Sequence, residues 1–159
     1  MGGDKMQIAQ YSRFTPLGCM LFYIKSSGLI FLLTGLAKIV SALGNERILD
    51  VVDPIIGIQF RWLFLICGAV ELIVAGICFF CGKHNASLLV LLSLSLGILQ
   101  YRFGLWWIGY QKPCRCLGGL TDMLHIPGGI ADLAMKLILA YVLIGAAFFG
   151  LNNWLKSNE

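Results

Sequence analysis

Residues 60–81 read FRWLFLICGAVELIVAGICFFC. One arginine stands near the start of this run and one carboxylate, Glu71, in its middle; the rest is apolar or small. At about 1.5 Å per residue a helix of this length crosses the roughly 30 Å of a bilayer's hydrocarbon. Arg61 and Trp62 at its entry suit the headgroup layer, where basic and aromatic side chains collect. Gly68, Glu71, Ala75, Cys78 and Gly82 recur every three or four residues, so one face of the helix is small or polar and turns toward neighbouring helices. This is a transmembrane helix with an inside and a lipid side.

Working outward, three further runs have the same character, over about 20–43, 86–109 and 130–150. The chain has 159 residues, 58% of them hydrophobic and 13% charged, where a soluble domain carries about 25% charged residues. So apolar a chain cannot cover itself with polar groups in water. The expected fold is all-α: a polytopic membrane protein, a four-helix transmembrane bundle forming a single domain over 1–159. The turn at 82–85 is short enough to make the second and third spans antiparallel neighbours. Net charge is +4 with no run of Lys and Arg, which excludes nucleic acid as a partner and leaves the bilayer.

The first run is too long for the core of a signal peptide, so it is read as a mature helix. Before it, residues 1–18 form a polar arm, with Pro16 and Gly18 expected to stop any earlier helix. Residues 44–59 alternate Ile48, Leu49, Val51 and Val52 with acids, as a short surface helix or strand would. Asp53-Pro54 and Gly57 then predict a turn that returns the chain to the bilayer. Thr34, Lys38 and Ser41 share one face of the first span. Ser93, Gly97, Gln100 and Gly104 make a small-polar stripe on the third, with Arg102 on a different face. Asp132 and Lys136 stand four apart and can pair at the start of the fourth.

Between the third and fourth spans lies the connection 110–129, with Pro113-Cys114-Arg115-Cys116-Leu117-Gly118-Gly119. Two cysteines one residue apart close only a small, tight ring, which opens more readily than a relaxed disulfide. Arg115 puts a positive charge beside either sulfur and favours the thiolate. Such a dithiol could exchange with a partner's disulfide. Two other readings stand beside this one. The pair could ligate a metal or heme with His125 or Asp122, although four-ligand spacing is absent and no metal site is assigned. It could also be a structural staple. Cys78 and Cys81 have redox-pair spacing but fall at the opposite end of the bundle, so they are read as helix-packing residues. Cys19 and Cys67 sit singly in apolar surroundings, as small buried hydrophobes do.

An ionised carboxylate in mid-span is costly unless paired. Lys38 is expected to be the partner of Glu71, with Gln100 nearby. The pair could fix helix register, or take part in proton transfer or in holding a quinone headgroup.

Gly35-Leu36-Ala37-Lys38, Phe60-Arg61-Trp62, Gly68-Ala69-Val70-Glu71-Leu72, Pro113-Cys114-Arg115-Cys116-Leu117-Gly118 and the Ala131-Asp132 to Lys136 start of the fourth span carry a resemblance. The sequence resembles the DoxX-like superfamily of four-span membrane proteins, in its MauE-like, methylamine-utilisation branch, over about 20–150. The resemblance implies a membrane thiol-disulfide oxidoreductase or disulfide-maturation factor in a bacterial inner membrane, with Cys114 and Cys116 as the exchange pair. Lys38 and Glu71 would be the shared intramembrane positions and quinone the electron acceptor. The implied partner is a protein with cysteines on the outer face. This chain departs from the quinone-coupled enzymes in lacking a second cysteine pair on the side of the loop. The alternatives are a non-enzymatic accessory subunit of a larger membrane complex and a quinone-linked oxidoreductase of sulfur compounds. Disulfide chemistry needs an oxidising compartment, which places the termini in the cytoplasm and the Cys-Arg-Cys loop in the periplasm.

Overall fold

A computed structural model describes residues 16–44, 47–81, 84–109 and 128–157. Four helices account for nearly all of them: α1 Pro16–Ala42, α2 Phe60–Phe80, α3 His84–Trp107 and α4 Gly128–Ser157. Each is long and apolar enough to cross a membrane. The chain is a four-helix, multi-pass membrane protein.

α1 begins at Pro16, four residues before the expected start of the span at 20. Proline suits a helix's first position, because the N–H it lacks would have no intrahelical acceptor there. α4 spans 30 residues and runs past the expected end at 150. At 1.5 Å per residue it is about 45 Å long, more than the hydrocarbon requires. In lipid every backbone polar group needs an internal partner, and two serine hydroxyls inside these helices bond to the carbonyls behind them. Ser26 donates to Tyr23 O at 3.0 Å, and Ser95 to Leu91 O at 2.8 Å.

α1 and α2 share the most extensive interface, followed by α3 with α4. The antiparallel α1–α2 contact is close because glycines line it. A Cβ at Gly35 would lie 3.0 Å from Gly68 O, and one at Gly68 would lie 3.0 Å from Gly35 O. Further along, a Cβ at Gly28 would lie 2.8 Å from Cys78 Cβ. The small stripe of α2 is therefore an interface, with Gly68, Glu71, Ala75 and Cys78 all buried. Cys78 packs as the sequence suggested, whereas Cys81 is exposed at the C-cap of α2 and Cys19 is exposed on α1. Their apolar surroundings are the lipid-facing surface.

The two halves of the bundle differ. Toward the 81–84 turn, Met20, Tyr23, Ile24, Val74, Ala75, Leu88, Leu91 and Ala146 form a packed core. Tyr23 crosses from α1 to α4, donating to Val142 O at 2.5 Å with its ring over Gly145. Toward the opposite end, where 43–59 joins α1 to α2, the packing gives way to polar groups. A short 3-10 turn, Arg47–Asp50, leads into a hairpin whose Val52 pairs with Gln59. Gly57 takes φ +76° in its turn, a conformation that glycine adopts without strain. Arg61 closes this end of α1 by donating to Ala42 O at 3.1 Å, with Asp50 3.5 Å away. Trp62, Trp106 and Trp107 are exposed at the same end, as an interfacial belt would be.

Substituting Gly68→Val forces a branched side chain against the α1 backbone, which cannot rotate away. It should lower stability by about 1–3 kcal/mol, read as a lower thermal midpoint in detergent. Gly76→Ala, where a Cβ meets nothing within 4 Å, should leave the midpoint unchanged.

Candidate functional site

The site is built from the buried carboxylate outward. Glu71 is 3% exposed and Lys38 7%, so neither can rely on water. Lys38 Nζ donates to Glu71 Oε1 at 2.5 Å, and Thr34 Oγ1 donates to Glu71 Oε2 at 2.9 Å. Both carboxylate oxygens thus have donors, which makes a buried charge tolerable. Thr34 and Lys38 reach Glu71 together because they lie one turn apart on α1, the face expected from their spacing. The Gly35–Gly68 approach beside them brings the two helices close enough for the bond.

Lys38, Glu71 and Thr34 form part of the wall of a cavity of about 370 Å³. Ile30 and Phe31 complete the α1 side, Leu63, Cys67 and Val70 are among the residues from α2, and Met135, Ile138, Leu139 and Val142 come from α4. From α3 come Ser93, Leu94, Gly97, Ile98, Tyr101, Arg102 and Leu105. The lining is largely apolar, with its polar groups gathered toward the hairpin end. Its volume lies within the range of about 300–1,000 Å³ usual for small-molecule sites.

Two readings of α3 change here. Gln100 is exposed and does not line the cavity; Tyr101 occupies that place. The row facing inward runs 93, 97, 101, four residues apart, and one residue of rotation is about 100°, enough to turn Gln100 outward. Arg102, expected on a different face, also lines the cavity, where it meets Asp132 of α4 at 3.3 Å. Asp132 in turn accepts from Lys136 at 2.7 Å, the expected i, i+4 pair. Ser93 and Gly97 do not bring helices into close contact. They leave room, since a Cβ at Gly97 would meet nothing within 4 Å.

The hairpin forms the end wall through Ile56 and Phe60. Asp53, 1% exposed, organises it. Its Oδ1 accepts from Ile55 N at 2.9 Å and Ile56 N at 2.8 Å, and its Oδ2 accepts from Tyr101 OH. The Asp-Pro turn was legible in the sequence, but the tie to Tyr101 was not. Cys67, read as an isolated buried cysteine, is half-buried on the cavity wall.

Among the described charged side chains of the helices, Lys38, Glu71, Arg61, Arg102, Asp132 and Lys136 all lie from mid-bundle to the hairpin end, and Lys25, exposed, lies in the other half. Cys114, Arg115 and Cys116, with Asp122 and His125, lie outside the described residues. The chain that carries them joins the end of α3 to the start of α4, the end of the bundle at which the hairpin also lies. Among the described residues no group of three or more His, Cys, Asp or Glu is placed to hold a metal ion.

The fold and the cavity define a four-span membrane protein with a buried ion pair in the cavity wall. Comparison with protein-family models, with curated proteins and with solved structures gives no match to the chain.

Lys38→Met leaves Glu71 buried without its counter-charge and should cost about 3–5 kcal/mol of stability. The double variant Lys38→Met, Glu71→Gln removes both charges and should recover most of that loss. Unfolding both variants beside the parent protein in one detergent measures the difference.

Proposed function

We propose that the protein is a bacterial inner-membrane thiol-disulfide oxidoreductase of the DoxX-like, MauE-like kind, passing electrons from Cys114 and Cys116 to a quinone. The observation that carries this reading is the apolar cavity with the Lys38–Glu71 pair in its wall. It sits toward the end of the bundle from which the cysteine-bearing connection leaves. In the orientation proposed from the chemistry, that end is periplasmic and the termini are cytoplasmic.

The residues present suit a quinone. An apolar chamber of this volume accommodates a ring and the start of its isoprenoid tail. Lys38 has three N–H donors, of which the Glu71 bond uses one, leaving donors for a ring oxygen. Glu71 holds the ammonium in place. Thr34 fixes the carboxylate from the other side. A bound quinone supplies the two-electron acceptor: closing the Cys114–Cys116 disulfide releases two electrons and two protons, and conversion to the quinol takes up the same number. The disulfide then exchanges with a partner's dithiol: a partner thiolate attacks one sulfur and releases the other cysteine as a thiolate. The second partner thiol resolves the mixed disulfide, leaving the partner oxidised and Cys114 and Cys116 reduced. Arg115 stabilises the thiolate that leaves.

Purified protein in nanodiscs, given a reduced dithiol protein and decylubiquinone, should form quinol. Cys114→Ser and Cys116→Ser should each abolish that turnover, and one of them should trap a mixed disulfide with the partner. Glu71→Gln should weaken the response to quinone concentration while leaving the thiol exchange intact. If neither cysteine variant yields an adduct and quinol never forms, the reading is wrong, and a non-enzymatic subunit of a larger membrane complex takes its place.

A further inference from the structure

The outline of the cavity indicates the direction from which a ligand reaches it. On α2, Ile66 and Val70 line the cavity and are also 55% and 40% exposed. On α3, Ser93 and Gly97 both line it and are exposed. These four positions are the two edges of a gap between α2 and α3. Only three residues separate the two helices in sequence, yet they meet far less extensively than α1 with α2 or α3 with α4. The gap opens on the flank of the bundle, and in a bilayer that flank is covered by lipid tails.

The end facing the headgroups is built differently. Ile56 of the hairpin and Phe60 at the start of α2 line the cavity there, Ile56 with its outer face exposed, and Ile55 lies over α3, its Cδ1 3.0 Å from where a Gly104 Cβ would stand. Within the hairpin the backbone closes on itself, with Asp53 N donating to Ile58 O at 2.8 Å and Phe60 N to Val51 O at 3.0 Å. The hydrogen bond found from the hairpin to α3 is the one from Tyr101 OH to Asp53. A small hairpin closed on itself in this way can swing as a unit without unfolding.

We propose that the cavity is loaded from the bilayer through the α2–α3 gap, and that the 51–60 hairpin, latched by Tyr101 to Asp53, shuts its headgroup end against water. This inference rests on the function proposed above. It narrows the ligand to a molecule resident in the membrane, with a hydrogen-bonding headgroup and an apolar tail left in the gap, and it excludes a water-borne substrate. Tyr101 and Asp53 are positioning residues in this scheme: they set which solvent reaches Lys38 and Glu71.

Cys67 on the cavity wall is a built-in reporter. The full chain, with its other cysteines replaced by Ser or Ala, is reconstituted in liposomes. It is then treated with either the lipid-soluble N-phenylmaleimide or a charged methanethiosulfonate. Comparing variants of one thiol cancels its intrinsic reactivity. The apolar reagent should modify Cys67 and the charged one should barely do so. Gly97→Phe, which fills the gap, should slow the apolar reagent severalfold. Tyr101→Phe should speed the charged reagent about tenfold, the population change that losing one such hydrogen bond commands, and leave the apolar rate unchanged. A parallel protein retaining only Cys78, packed against Gly28, should stay unmodified in the Tyr101→Phe background. The proposal is overturned if the charged reagent is as fast in the parent as in Tyr101→Phe, if Gly97→Phe has no effect, or if Cys78 becomes reactive. Prior addition of decylubiquinone separates the two ideas. Protection of Cys67 with no effect of Gly97→Phe keeps the quinone and refutes the route. Route effects without protection keep the lateral entrance and refute the quinone.

Discussion

Glu71 is the constraint on which this bundle turns. A carboxylate at mid-span has no water to stabilise it, so the protein must bring it a cation and a second donor. Lys38 and Thr34 do this from one face of α1. Their reach is short, and the bond forms only because Gly35 and Gly68 let the two backbones approach. The pair therefore fixes the register of α1 against α2. A slide of one turn in either direction would strand a charge in hydrocarbon, at a cost of several kcal/mol. Packing and electrostatics select the same alignment.

The rest of the molecule divides around that pair. On one side of it the helices interlock through Tyr23, Ile24, Ala75, Leu91 and Ala146, a core that leaves little room for a ligand. On the other side the side chains that link helices are polar: Arg61 to the end of α1, Asp53 to Tyr101, Asp132 to Arg102. Polar links span greater distances than close-packed methyl groups and leave space among themselves, and the cavity occupies that space. Rigidity and a binding chamber are obtained from one four-helix fold by changing the chemistry along its length. The chamber's polar groups stand at the end where the connection between α3 and α4 begins and ends.

The helices were legible because their signal is coarse: long apolar runs broken by Asp53-Pro54 or by a polar turn. The face of α2 was legible too, since Gly68, Glu71, Ala75 and Cys78 follow helical spacing. Lys38 and Glu71 could be paired from sequence because an intramembrane charge must find an opposite one. What was not legible depends on rotation and on distant contacts. Gln100 and Tyr101 differ by one position, and no rule of spacing says which faces inward until α4 is set against α3. Proline at residue 16 was legible as a break before the first span, but not as that helix's own first residue. Asp53 was visible as a turn residue, but its second carboxylate oxygen answers to a tyrosine 48 residues away, and nothing local encodes that. Cys67 offered no pattern at all.

The Lys38–Glu71 bond also has a bearing on how the chain enters the membrane during synthesis. A single ionised side chain at the centre of an isolated helix raises the cost of insertion by about 3 kcal/mol. Lys38 of α1 and Glu71 of α2 carry opposite charges, and only the 43–59 connection separates the two helices. Entering together, as a preformed antiparallel pair, they present the bilayer with these two charges already paired and facing each other. Entering one after the other, each would have to hold its charge against lipid until its neighbour arrived. The ion pair that fixes the finished fold thus favours the helical hairpin, rather than the single helix, as the unit of assembly.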